Sequence, residues 1–194
     1  MSKAPKILAF AGSTRKESWN KKLLREAAEG ALGEGADITF IDLAAYPLPL
    51  YDGDFEEAQG LPENVKKLQS LFAQHDAFLI ASPDYNGSYS AVLKNVFDWL
   101  SRTDKTLAKP LEPFRGKIAA IVSASPGMLG GLRGLDKLHD LLDQLQIMVL
   151  PDVYAVGSVT TAFNAAGKLK DAKTSQAVKN VGSKLAQTAK KLSP

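Results

Sequence analysis

The chain alternates between short, almost continuously apolar runs and longer segments in which apolar residues recur every three or four positions. Runs of the first kind are typical of parallel strands that are covered on both faces, and the longer spacing is typical of helices packed on one side. Five runs predict strands, and they are KILAFA, ADITFIDL, DAFLIA, KIAAIVSA and IMVLPDVYAV, the last bent or ended by Pro151.

Helical spacing is found after each predicted strand. The helices are expected from about Ser18 to Gly33 or Gly35, from Pro62 in a first turn through Phe72, over residues 91–102, from Leu135 to Leu145, and from Val178 to Leu192. Residues 44–60, rich in proline and tyrosine, are predicted to be neither helix nor strand. A long loop containing KPLEPFRG is expected before the fourth strand.

This alternation predicts an α/β fold with a parallel sheet and right-handed crossovers. Five strands favour the flavodoxin-like three-layer sandwich, with strand order 2-1-3-4-5, over the six-stranded dinucleotide fold. No internal repeat or linker divides the sequence, so residues 1–194 are expected to form a single domain.

Three unusually polar or glycine-rich loops follow the first, third and fourth predicted strands. They are GSTRKESWN, SPDYNGSYS and SASPGMLGG. In an open α/β sheet, ligands bind beyond the carboxyl ends of the strands at the point where the strand order reverses, which here is between strands one and three. The three loops should therefore meet where a site is expected.

The first loop has the chemistry of a phosphate site. A helix N-terminus attracts anions, Ser13, Ser18 and Asn20 add side-chain donors, and Arg15 adds a permanently charged fork that suits phosphate oxygens. Neither G-x-G-x-x-G nor the P-loop motif is present, so a terminal phosphate monoester is favoured over a pyrophosphate. The alternative is that Ser18 only caps the helix and Arg15 is solvated.

The second loop suits a flat ring. Pro83 keeps the chain extended before Asp84, Tyr85 can pack against a ring, and Asn86–Gly87 forms a turn that allows close approach of the backbone. In the third loop, Gly130–Gly131 can also admit a ring. The alternatives are an ordinary strand-to-helix turn with a capping serine and a flexible surface turn. A phosphate beside a large aromatic ring predicts flavin mononucleotide (FMN).

The motifs GSTRKESWN, SPDYNGSYSAVLKNVFDWLSR and SPGMLGG together resemble the NADPH-dependent FMN reductase family, over nearly the whole chain. The resemblance implies specific contacts. Ser13, Arg15, Ser18 and Asn20 would bind the FMN phosphate; Pro83, Asp84, Tyr85, Asn86 and Gly87 would frame the isoalloxazine ring; Ser125 and Gly130 would lie beside it. Asp84 departs from the glutamate that is common in the family, which leaves the contact of that side chain open.

The same resemblance implies an enzyme that passes hydride from NADPH or NADH through bound FMN to a small-molecule electron acceptor. Such an acceptor would be a quinone, free flavin, an azo compound or an oxidised metal ion. No protein side chain is expected to act as a catalytic acid or base. The resemblance also implies a homodimer or homotetramer, with the helix over residues 91–102 at the interface. The wide apolar arc of that helix agrees with this, although a helix packed deeply within a monomer would show the same arc.

The main alternative is a flavodoxin-type FMN electron carrier that does not oxidise nicotinamide. Such carriers are typically strongly acidic, whereas this chain of 194 residues has a formal net charge of +3 and a pI of about 9.0. Arg15 in the phosphate loop also counts against a carrier. A response-regulator receiver would need an acidic cluster after the first strand, where this chain has Gly12 and Ser13.

Composition excludes several further classes. The chain has no cysteine, which rules out disulfides, thiolate catalysis and cysteine-bound metals. His75 and His139 lack metal-ligand spacing and are expected on helix surfaces, so no metal site is predicted. A nucleic-acid-binding protein would cluster its Lys and Arg with stacking aromatics, whereas the clearest basic cluster here is the Lys190–Lys191 pair near the C-terminal end, which argues against nucleic-acid binding. Without a signal peptide or a membrane-spanning run, a cytoplasmic location is expected.

Overall fold

The computed structural model describes residues 3–103 and 111–192, whose strands form one parallel sheet. The strands are β1 (Lys6–Ala11), β2 (Asp37–Ile41), β3 (Ala77–Ala81), β4 (Ile118–Ala124), β5 (Met148–Val149) and β6 (Tyr154–Val156). Their order is β2-β1-β3-β4-β5, with β6 also paired to β4, so the predicted flavodoxin-like arrangement is confirmed. The predicted loop KPLEPFRG starts at residue 109, and its first two residues lie outside the described part of the chain.

The fifth predicted strand is interrupted, as expected, at Pro151. β5 pairs with the beginning of β4, where Met148 lies opposite Ile118, and β6 pairs with its end, where Val156 lies opposite Ala124. Proline has no backbone N–H to donate to a neighbouring strand, so it separates the two pieces. Both pieces occupy the same position in the sheet, and β6 lies nearest the loop that follows β4.

The helices follow the strands in the predicted alternation. They are α1 (Trp19–Gly33), α2 (Gly53–Gln59), α3 (Glu63–Gln74), α4 (Ala91–Leu100), α5 (Leu132–Gln144), α6 (Val159–Ala162) and α7 (Ala172–Leu192), with a short 3₁₀ helix at Leu43–Ala45. Pro62 immediately precedes α3 instead of occupying its first turn. Leu192, predicted as part of the apolar face of α7, is exposed.

Successive residues of the central strands point to opposite faces of the sheet and divide the core in two. Ile7 and Ala9 lie in the cluster that contains α1 and α7, whereas Leu8 and Phe10 lie in the cluster that contains α3, α4 and α5. Every residue of β3 and β4 is buried. Coverage of both faces explains why these strands are continuous apolar runs in the sequence.

The prediction that residues 44–60 contain no regular structure is wrong. This segment contains part of the 3₁₀ helix and the whole of α2. The Asp52 side chain accepts hydrogen bonds from the backbone N–H groups of Asp54 (2.8 Å) and Phe55 (3.2 Å), and Gly60 ends the helix with a φ of 72°. A capping aspartate and a terminal glycine therefore form a helix too short to show an apolar period.

The wide apolar arc of α4 is covered by the chain itself. Trp99 is buried, and its indole Nε1 donates to the carbonyl oxygen of Pro49 at 2.8 Å. Tyr51 and Phe55 pack edge-on against the same indole, with ring centroids 5.0 and 6.0 Å away. Because residues 49–55 occupy this face, the arc has an explanation within one chain and gives no support to a subunit interface.

Helices α1 and α7 cross in unusually close contact. A Cβ placed on Gly182 would collide with the backbone carbonyl oxygen of Ala27, and one on Gly30 would collide with that of Lys179. Two glycines therefore let the backbones approach each other. Through this contact, α7 packs directly against α1, the helix that follows the polar loop after β1.

Candidate functional site

The three polar loops leave the sheet side by side at the carboxyl ends of β1, β3 and β4. Sheet hydrogen bonding continues one residue into each loop: Gly12 donates to Ala81 (2.9 Å), Ser82 to Val122 (2.9 Å) and Ser125 to the carbonyl oxygen of Val156 (3.1 Å). The sheet therefore fixes the first residue of every loop. This is the location that the reversal of strand order predicts.

Two adjoining cavities lie between these loops. The first has a volume of about 160 Å³ and is lined by Ser13, Arg15, Ser18, Trp19, Asn20, Pro83, Asp84, Tyr85, Ala124, Ser125 and Pro126. The second has a volume of about 270 Å³ and is lined by Asp84, Gly87, Ser125, Gly127, Met128, Leu129, Gly130, Gly131 and Arg133. They share the lining residues Asp84 and Ser125, so they adjoin as two halves of one candidate site. The structure thus brings together every predicted site residue except Asn86, which lines neither half.

The loop after β1 presents several hydrogen-bond donors to the first cavity. Ser13 and Ser18 are buried, and although Ser18 occupies the N-cap position of α1, its hydroxyl makes no capping hydrogen bond. The first backbone bond of the helix is donated by Lys22 to the carbonyl oxygen of Ser18 (3.2 Å). The preceding N–H groups of the helix therefore have no partner within it. The exposed Arg15 forms no ion pair with any described residue.

Asn20 is already engaged within the chain. Its side-chain Nδ2 donates to the carbonyl oxygen of Ala124, and the backbone N–H of Ala124 donates to its Oδ1, both at 2.9 Å. The side chain is buried. This pair of hydrogen bonds joins the first turn of α1 to the last residue of β4.

The loop after β3 contains a tight two-residue turn. Tyr85 and Ser88 exchange backbone hydrogen bonds of 2.9 and 3.2 Å across Asn86 and Gly87, whose φ values are 57° and 76°. Positive φ at both central residues defines a type I′ turn, which explains the Asn-Gly pair. A Cβ on Gly87 would meet only the Arg133 side chain, 4.0 Å away, so this backbone faces open space.

Asp84 holds this turn and connects it to α5. One carboxylate oxygen accepts from the N–H of Gly87 (2.9 Å) and the other accepts from the N–H of Gly134 (3.0 Å), in the first turn of α5. The residue at the N-cap of α5 is Gly131, which has no side chain to cap the helix. Asp84 therefore supplies the missing cap from a neighbouring loop. This is the contact that the departure from glutamate had left open.

Ser90 joins the second loop to the first. Its hydroxyl accepts from the N–H of Leu93 (3.2 Å) and donates to the carbonyl oxygen of Gly12 (2.7 Å). The alternative reading of this loop as a turn with a capping serine is thus correct for Ser90. Residues 85–88 nevertheless form a type I′ turn, so the same loop contains both this turn and a helix-capping serine.

The loop after β4 is apolar and exposed on its outer side. Met128 and Leu129 are 91% and 56% exposed and line the second cavity. Gly130 and Gly131 have φ values of 64° and 92°, so glycine is needed here whether or not a ring is admitted. Sequence analysis missed Arg133 as a lining residue, although its place in the first turn after a glycine-rich loop is a usable signal.

The two histidines lie outside both cavities. His139 is exposed on α5, as expected, but the prediction for His75 is wrong because this side chain is buried at the end of α3 and its Nδ1 lies 2.6 Å from the carbonyl oxygen of Leu71. Within residues 3–103 and 111–192, no group of three or more His, Asp and Glu side chains is placed to hold a metal ion. In the same described ranges, every helix is too short or too polar to cross a membrane.

Comparison with known proteins decides the family. Residues 5–161 match the family model described as NADPH-dependent FMN reductase, which is most of the chain. The chain belongs to this family. Its similarity to an NAD(P)H-dependent FMN reductase of Pseudomonas aeruginosa is 37% identity over 180 residues, covering 92% of this chain and 91% of the relative.

Further relatives agree with this family assignment. A quinone reductase of Escherichia coli K12 is 33% identical over 162 residues, covering 82% of this chain and 80% of the relative. Among solved structures, the flavoenzyme NAD(P)H:(acceptor) oxidoreductase of Paracoccus denitrificans superposes with a TM-score of 0.77 at 26% identity, covering 97% of this chain and 98% of that one. The resemblance noted in the sequence is confirmed, and so is the expectation of an oxidoreductase enzyme.

Proposed function

We propose that this member of the FMN reductase family binds FMN in the two joined cavities and oxidises NADPH or NADH. The electrons would pass to a small acceptor such as a quinone, free flavin, an azo compound or an oxidised metal ion. The observation that carries the proposal is that two cavities of different lining adjoin at Asp84 and Ser125. One half is lined by phosphate-type donors and the other by a glycine-rich, partly apolar surface.

The residues of the first cavity fit a phosphate dianion. Ser13 and Ser18 are buried, and Ser18 stands at the N-cap of α1, where the helix dipole favours negative charge. Arg15 adds a guanidinium that has no ion-pair partner among the described residues. A dianion needs several donors at once, and hydroxyls, free helix N–H groups and guanidinium together provide them.

The residues of the second half fit a planar ring system. The backbone of Gly87 faces open space, and Gly130 and Asp84 border the same cavity. Pro83 and the half-exposed ring of Tyr85 lie at the junction with the phosphate half. These positions let the protein orient a ring by backbone groups and shape, while leaving one side open to a second substrate.

Bound FMN would supply the hydride acceptance and the two-electron delivery, and the protein supplies binding, orientation and electrostatics. No side chain in either cavity is proposed to act as an acid or base. The guanidinium of Arg133 stands at the rim of the second cavity and has no ion pair among the described residues, so it is placed to attract the phosphates of a nicotinamide nucleotide. Assembly as a homodimer or homotetramer is proposed on the resemblance alone.

The test is a titration of the reconstituted protein. Apoprotein is mixed with FMN, unbound flavin is removed by gel filtration, and the visible spectrum is recorded without oxygen before and after NADPH or NADH is added. We expect stoichiometric FMN and rapid bleaching, followed by recovery of colour when a quinone is added. Stoichiometric FMN that stays oxidised would support the electron carrier instead, and a colourless protein would refute FMN binding.

A further inference from the structure

We infer that Asn20 is a positioning residue that locks the phosphate half of the site to the ring half, and is not itself a ligand of the phosphate. The inference rests on the proposed FMN site. It follows from the reciprocal hydrogen bonds between the Asn20 amide and the backbone of Ala124, both at 2.9 Å. These partners are 104 positions apart in the sequence.

The amide completes the sheet at the point where a strand is missing. β3 ends at Ala81, opposite Val122, so nothing in β3 can pair with the last residue of β4. On its other side, the end of β4 pairs with β6, and Ser125 donates to Val156. In a parallel strand, the N–H and C=O of one residue point the same way. The Asn20 amide meets both groups of Ala124, so one side chain takes the place of the two peptide groups that a neighbouring parallel strand would supply.

Burial makes this contact consequential. Asn20 is 3% exposed, and Ala124 is 4% exposed. A side-chain amide offers one oxygen acceptor and two N–H donors, and the oxygen and one donor are already used on Ala124. Removing the amide would leave a buried N–H and a buried C=O without partners, so the end of β4 would shift or admit water.

The consequence for the site is a fixed distance between its two halves. Asn20 follows the serines and arginine of the first loop, and Ala124 immediately precedes Ser125, which both cavities share. These two hydrogen bonds, the Asn20–Ala124 clamp, therefore fix the start of the loop after β4 relative to the phosphate donors. A ligand that spans both halves depends on this distance, and a ligand in the ring half alone depends on the position of the loop after β4, which begins beside Ala124 and lines that half.

The experiment compares FMN with riboflavin, which lacks the phosphate. Both affinities are measured by quenching of flavin fluorescence for the wild type, Asn20→Ala, Arg15→Ala and a control. The control is Asn64→Ala, which removes an asparagine amide that also donates to a backbone carbonyl, that of Pro47 (3.0 Å), and that lines neither cavity. Circular dichroism confirms that each variant is folded.

We expect Asn20→Ala to weaken FMN and riboflavin by the same factor, about tenfold or more, as for a lost hydrogen bond to a buried group. Arg15→Ala should weaken FMN alone, and Asn64→Ala should change neither affinity. Loss of FMN affinity with riboflavin unchanged would make Asn20 a phosphate ligand and overturn the inference. Unchanged affinity for both flavins would remove Asn20 from the site.

A second variant and a second measurement keep the inference testable if Asn20→Ala misfolds or if the wild type binds no flavin. Asn20→Asp keeps the acceptor for the Ala124 N–H but sets a buried carboxylate oxygen against the Ala124 carbonyl oxygen, so riboflavin affinity should fall as it does in Asn20→Ala. Hydrogen exchange of the Ala124 amide in the apoprotein should accelerate in Asn20→Ala, which removes the acceptor of this N–H, and stay unchanged in Arg15→Ala. Unaltered exchange would refute the clamp, whereas a wild type that binds no flavin would refute only the proposed function.

Discussion

Asp84 offers a quantitative test of how the site is held together. In Asp84→Ala, the N–H groups of Gly87 and Gly134 lose their acceptors, at present 2.9 and 3.0 Å away. A hydrogen bond to a charged group contributes about 1.5–3 kcal/mol when it is buried, and a helix cap about 0.5–2 kcal/mol. Because Asp84 is only partly buried, we take about 1 kcal/mol for each bond and expect a total loss of about 2 kcal/mol.

The assay is urea denaturation followed by circular dichroism at neutral pH, with heating as a second measure. For a chain of this size, a loss of about 2 kcal/mol corresponds to a fall in Tm of about 4–8 °C. Asp140→Ala is the matched control, since Asp140 lies on the same helix but makes only an exposed ion pair with Lys137 at 3.5 Å. Its expected cost is about 0.5 kcal/mol or less. Equal destabilisation of the two variants would refute capping of α5 by Asp84.

Three further predictions concern charged groups. Arg15→Ala should weaken FMN binding by about 1.5–3 kcal/mol in a fluorescence titration, because a charge-assisted phosphate contact is lost; unchanged affinity would remove Arg15 from the site. Arg133→Ala should raise the KM for NADPH by about three- to tenfold without changing FMN affinity, whereas Lys137→Ala should not; equal effects would argue for general surface charge. Hydrogen bonds from the side chain and backbone of Thr174 lower the pKa of Asp171 below 3.8. The ionised carboxylate therefore stabilises the fold above pH 3.8, and this contribution is lost as the pH falls through the lowered pKa. Acid unfolding curves of Asp171→Asn should therefore be less steep in this range than those of the wild type, and identical slopes would contradict the assignment.

The sequence predicts the sheet well because its signal is local. The residues of β3 and β4, and all of β1 after Lys6, are buried on both faces of the sheet, so each strand is an almost continuous apolar run. The three site loops follow from the same logic, since the ends of parallel strands meet at one edge. The split of the fifth strand was also visible in advance, because Pro151 cannot donate a ladder hydrogen bond.

What the sequence could not predict depends on contacts between distant residues. The 44–60 segment contains α2, but a helix of seven residues held by Asp52 has no period to detect. The wide arc of α4 suggested a partner subunit, and only the fold shows that residues 49–55 cover Trp99. Asn20 presented the donors of a phosphate ligand, while its bonds to Ala124 are made 104 residues away. The sequence thus indicated which groups each side chain can bind, but it did not indicate which residue each side chain contacts in the fold.

The interruption of the fifth strand also bears on aggregation. Beyond β4, the sheet ends in pieces of only two and three residues, β5 and β6, which offer too short a row of free backbone groups for a neighbouring molecule to extend. The opposite border is β2, whose five residues pair with β1 on one side and include Phe40, 48% exposed. If partly unfolded molecules pair through the edges of their sheets, the pairing will form at β2. Replacing Phe40 with lysine is the substitution that would block this pairing.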